Sequence, residues 1–171
     1  MKHVLVILLL FFMNNPSWGQ SLESKIYDMI EFIESYTELE YDGSELPSIH
    51  IVSEKQVCQN VYVPPRDVCD VAGYYDHGNN NIFITDKPTK FMVDDRYHEV
   101  VLVHELVHFL QYTNGIYETI ECKQALERDG FMIQDRYVEE NNIDPQNAPD
   151  ALFALVASMC PSMNPMLFGE H

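Results

Sequence analysis

Apolar residues fall along the chain in blocks whose internal spacing changes twice. The first block, Val4 to Met13, has no period at all and follows the polar pair Lys2-His3. Small residues follow at Ser17-Trp18-Gly19, so residues 1–19 are expected to be a secretory signal cut before Gln20. The run is too short to span a bilayer. From Ser21 to Glu40, Leu22, Ile26, Ile30 and Ile33 return at helical spacing and predict an amphipathic helix capped by Ser21. Asp42-Gly43 and Pro47 end it. The pattern then becomes extended. Ser48 to Ser53 predicts a short strand, and Asp70 to Tyr75 with Asn81 to Thr85 predicts a hairpin around His77-Gly78-Asn79-Asn80.

After Lys87-Pro88 the helical period resumes. A helix is expected from Asp94 to Thr113, stopped by Asn114-Gly115, and a second from Thr119 to Asn141, ended by Asn142 and Pro145. Pro149-Asp150 opens a shorter third helix through Ser158. Strands first and helices later is an α+β order. No repeat, low-complexity run or long linker divides residues 20–171, which are expected to form a single domain.

Composition narrows the class. Removing 19 of 171 residues leaves 152, a length that suits one core, and takes the net charge from −17 to −18. That charge argues against nucleic acid and against stable association with an anionic membrane once the leader is gone. It is compatible with a peptide or protein substrate and with a monomer. The 4 cysteines are an even number in a chain expected to be secreted or periplasmic, which suggests two disulfides. Three connectivities are possible. Cys58–Cys69, closing the loop Gln59 to Val68, and Cys122–Cys160 are favoured.

The chemistry lies in His104-Glu105-Leu106-Val107-His108, the pattern H-E-x-x-H within the apolar run Val100 to Tyr112. Residues four apart on a helix stand one above the other, so the two imidazoles can converge on one point. Neutral imidazole nitrogens suit zinc, and a carboxylate beside the metal can act as a general base, the machinery of peptide-bond hydrolysis. A helix apolar nearly all round is a buried one. Burying two imidazoles and a carboxylate costs several kcal/mol unless they are paired or bind metal.

Tetrahedral zinc needs one more protein ligand besides a water. The metzincin pattern requires glycine and histidine at positions 111 and 114, where this chain has Gln111 and Asn114. A carboxylate from the next helix is the alternative, with Glu118, Glu121 and Glu127 competing and Asp129 a weaker rival. In an antiparallel partner helix beginning near Thr119, the residue level with His108 falls near Glu127. Glu118 and Glu121 then sit about 10 Å too high. The competing account of Glu127 is a solvated glutamate paired with Lys123 or Arg128. Tyr74, Tyr75, His77, Tyr112 and Tyr137 are candidates for stabilising an oxyanion, and none stands out.

On these residues the chain resembles the small secreted gluzincin-type zinc metallopeptidases. The resemblance rests on His104 to His108, Glu127 on a following helix and the hairpin Ala72 to Thr85, about half of the mature chain. It implies a minimal zincin-like fold and one Zn2+ held by His104, His108 and Glu127, with Glu105 as the general base of a peptidase. It also implies an edge strand along the cleft, here expected to be Asn81 to Thr85. Larger members carry an aspartate four residues after the glutamate ligand, to orient a histidine; Phe131 stands there in this chain. A catalytically degenerate peptide-binding module and a cell-wall peptide amidase are the rival expectations.

Overall fold

The computed structural model describes residues 21–61, 64–65, 69, 71–87, 96–149 and 151–160, so the expected leader over residues 1–19 lies outside the described residues. Helix α1 (Leu22–Tyr36) starts where Ser21 Oγ accepts a hydrogen bond of 3.1 Å from the Ser24 amide, and it buries Ile26, Met29, Ile30 and Ile33. Three of the four expected stripe residues are there, but Leu22 is exposed in the first turn, Met29 joins the buried face, and the helix stops at Tyr36 rather than reaching Glu40; the face packs on the central helix described below.

Strands β1 (Ser48–Val52), β2 (Gly73–Asp76) and β3 (Asn81–Thr85) form one mixed sheet in the order β1-β3-β2. The hairpin β2–β3 is antiparallel, with Tyr75 opposite Ile82, and Asn80 takes the left-handed conformation that its tight turn requires. β1 pairs with β3 in parallel, His50 opposite Phe83. A parallel pair needs a crossover, and this one contains helix α2 (Glu54–Val61), which the sequence reading did not expect and whose last turn it put in the loop Gln59 to Val68. Only Val57 and Cys58 of α2 are buried, too thin a stripe to signal a helix. The crossover also corrects the expected edge strand. β3 is the central strand, bonded on both sides, and β2 is an edge.

Helix α3 (Tyr97–Thr113) runs through the middle of the molecule. It lies against α1, the inner sheet face of Ile82 and Ile84, and helix α5 (Glu127–Glu140). No proline or glycine interrupts it, and Gly115 at φ 71° turns the chain away at its end. The single helix expected from Thr119 to Asn141 is instead divided into α4 (Ile116–Thr119), a 3-10 turn (Lys123–Leu126) and α5. The break is extended backbone at Ile120 and Cys122, where Cys122 is bonded to Cys160 beyond helix α6 (Ala151–Ala157). Both favoured disulfides, Cys58–Cys69 and Cys122–Cys160, are present, with Cα separations of 5.6 and 5.8 Å. The architecture is α+β.

Candidate metal centre

α3 and α5 lie antiparallel: His104 faces Gly130 and Gln134, while Gln111, two turns on, faces Leu126 and Asp129. Between the helices, the Nε2 atoms of His104 and His108 are 3.1 Å apart. Glu127 Oε2 lies 3.2 Å from the first and Glu127 Oε1 lies 3.5 Å from the second. A tetrahedral zinc with bonds of about 2.0–2.1 Å sets neighbouring ligand atoms about 3.3 Å apart. The three residues fit that ion. Among the described residues they form a cluster whose ligand atoms all lie within 4.8 Å of one another.

The protonation pattern fits as well. His104 Nδ1 is 3.1 Å from Gln134 Oε1, and His108 Nδ1 is 2.9 Å from Gln111 Oε1. Each glutamine spends its amide protons elsewhere: Gln134 on the Asn147 carbonyl, Gln111 on the Leu126 carbonyl and Asp129. Each amide oxygen must therefore accept, so each Nδ1 donates and each Nε2 presents a lone pair to the other. Two lone pairs at 3.1 Å repel unless a cation lies between them, either a metal ion or the proton that His108 carries in the metal-free protein. The outer partners of metal-bound histidines have this arrangement.

Charge in the cluster is strongly coupled. Burial pulls the His108 imidazole down, but its bond to Glu127 and the charges of Glu105 and Glu127 outweigh that and lift it to about 9. Burial pushes Glu127 up, yet its bonds to both histidines win and hold its carboxyl far below the usual range. Glu127 opens α5, where a carboxylate also meets the positive end of the helix dipole.

Glu105 is only 5 % exposed and lies on the sheet side of the centre. Burial raises its carboxyl, opposed by the nearby histidines and by a hydrogen bond from the Tyr75 backbone amide. Gly73 of β2 packs so closely that a Cβ there would sit 2.7 Å from Val101 Cγ1 and 3.2 Å from Glu105 Oε1. Edge strand β2 is therefore laid directly over the carboxylate.

The remaining candidates separate. Glu118 and Glu121 are exposed and outside the cluster, and Asp129 bonds Gln111. Tyr137 packs on Phe32 beside Arg96, and Tyr74 stacks on Phe83 on the outer sheet face, so neither reaches the centre. Tyr75, Tyr112 and His77 gather near the C-terminal end of α3. Phe131, noted from the sequence as departing from the pattern at that position, places its ring 4.8 Å from that of His104; Gln134 orients the imidazole instead. The sequence reading missed Gln111, Gln134, Gly73 and Gly130. Gln111 carried a signal, being the one polar residue outside the motif between Val100 and Tyr112.

Compared with known proteins, residues 19–164 match the family model of a domain of unknown function, DUF6647. No curated protein and no solved structure matches the chain.

Proposed function

This chain belongs to the DUF6647 family, and we propose that it is an exported zinc-dependent metallopeptidase of the gluzincin type. The observation that carries the reading is the triangle of His104, His108 and Glu127, at zinc-ligand spacing and with both Nε2 lone pairs turned inward, beside a buried carboxylate. These three side chains would hold the ion. When bound, zinc supplies Lewis acidity: it polarises a carbonyl and makes water nucleophilic near neutral pH.

The chain's own groups do the rest. Glu105 takes a proton from the attacking water on its carboxylate and passes it to the leaving amine. Its burial raises the carboxyl, and a more basic carboxylate accepts a proton more readily than an exposed glutamate. The Tyr75 amide fixes one side of that carboxylate, and Gln134 and Gln111 hold the imidazoles in register. Apart from the Tyr75 amide, which Glu105 takes, the edge of β2 offers main-chain groups to an extended peptide, the role the sequence reading gave to β3. Two disulfides suit an oxidising compartment outside the cytosol.

The test is Glu105→Gln, assayed on unfolded casein and on cell-wall peptide fragments in parallel. Zinc content and fold should survive while turnover falls by about 10²–10⁴-fold, the usual contribution of a positioned base. Turnover unchanged by this substitution would remove the general base. Metal bound with no cleavage of either substrate would leave a peptide-binding module.

A further inference from the structure

We propose that the cleft over the metal centre ends in an aromatic subsite, walled by His77, Tyr112 and Tyr117, that accepts an aromatic side chain of an extended peptide lying on β2. The proposal rests on the peptidase reading for its location and names the substrate class of the same site.

The helix geometry fixes which side of the metal centre lies towards solvent. Counting about 100° per residue from His104, His108 lies at about 40°, Tyr112 at about 80° and Glu105 at about 100°. Tyr112 therefore stands in the sector between a metal-binding histidine and the carboxylate, one turn farther along. One turn the other way the same sector belongs to Val101, which is 3 % exposed and roofed by Gly73. That end is shut. The Tyr112 end is open, because Tyr112 and Tyr117 are only half-buried and His77 is exposed.

β2 and α3 run alongside each other in the same direction. Gly73 lies by Val101 and Glu105, the Tyr75 ring by Phe109 and Tyr112, and the His77 ring by Tyr112. Among the described residues β2 pairs with β3 alone. A peptide added to the other edge would place same-face side chains about 7 Å apart. One turn of α3 is about 5.4 Å. A side chain two residues from the scissile bond thus falls level with the rings.

Those rings are arranged as a wall. His77 stacks on Tyr112 at 5.0 Å and 22°, and Tyr117 closes the corner at 4.8 Å from His77 and 6.0 Å from Tyr112. Lys123 Nζ sits 3.6 Å from the Tyr117 ring centre and fixes that ring from outside. The His77 turn is held by Asp76, which accepts from the Gly78 amide at 3.1 Å and from Asn79 Nδ2 at 2.8 Å. Rings held this way are ordered before a ligand arrives, and an incoming ring can stack or meet an edge.

The test uses the zinc-loaded Glu105→Gln protein and fluorescein-labelled ten-residue Ala/Ser peptides with a single Phe walked along them, read by fluorescence anisotropy. At one position Phe should tighten binding about 10-fold over Ala, and adding His77→Ala or Tyr117→Leu should shrink that advantage to about 3-fold or less. His77 is exposed in a turn, so its variant should fold as the parent does, checked by circular dichroism. No advantage for Phe at any position overturns the subsite, even where wild type cleaves casein. An advantage that survives both variants overturns the assigned wall. A His77-dependent advantage in a protein whose wild type cleaves nothing upholds the subsite and sinks the hydrolase reading instead.

Discussion

Gln111 and Gln134 decide which nitrogens of the two histidines are available. A carboxylate in their place would make the imidazoles more basic and leave a further buried charge; the neutral amides orient without adding charge to a centre that already holds Glu105 and Glu127. Replacing either glutamine by Leu should weaken zinc about 10- to 100-fold in a chelator competition, while circular dichroism stays unchanged. A second consequence concerns protons. With His108 lifted to about 9, metal-free protein carries its proton at neutral pH, and zinc must displace it. Calorimetry at pH 7 in buffers of different ionisation enthalpy should find about one proton released per ion, and affinity should climb about tenfold per pH unit towards 9. In the metal-free fold the same imidazole, raised from 6.5, contributes stability in full below pH 6.5 and loses it as pH rises through about 9. At this scale His104, Glu105 and His108 were legible because their spacing is local. Gln134 was not, since it meets His104 from thirty residues away.

The contact between α3 and α5 depends on the absence of a single side chain. A Cβ at Gly130 would lie 2.7 Å from His104 Cε1 and 2.9 Å from both ring nitrogens. That ring is pinned by Gln134 and Phe131, so it cannot swing aside cheaply. Gly130→Ala should therefore destabilise by about 1–3 kcal/mol in urea titration and lower retained zinc measured by mass spectrometry, the usual effect of overpacking. Unaltered zinc retention would show that the helices can part without moving the histidine. The elements themselves were legible to unequal degrees. α1 announces itself by its cap and stripe, and β2–β3 by its turn. α5 was expected eight residues too early, yet Glu127 at its first turn still meets His104 and His108. α2 carries only a short apolar stripe of Val57, Cys58 and Val61 over eight residues, and the parallel pairing of β1 carries no local signal. Whether a strand joins one side of β3 or stays at an edge depends on a crossover whose path periodicity does not encode.

At the scale of the whole molecule, Cys122–Cys160 closes a segment of 38 residues that contains Glu127 and Gln134 but neither histidine. Loop-closure entropy assigns such a link about 4 kcal/mol. The double variant Cys122→Ser/Cys160→Ser should lose stability of that order in urea, with the apparent zinc affinity falling alongside it; full stability in the variant would mean that α6 packing alone holds the C-terminal region. The cysteine pairing was legible from loop lengths, whereas the tie's effect on the ligand helix needed the fold. The central placement of α3 has a last implication. The inner face of the sheet, with Ile82 and Ile84, is covered by the same helix that presents His104, Glu105 and His108. Those seventeen residues answer to two masters: one change there can spoil the assembly of the protein, its chemistry, or both. Latitude for change lies elsewhere, in the exposed β2–β3 turn at His77-Gly78-Asn79, which borders the centre without lying in the core.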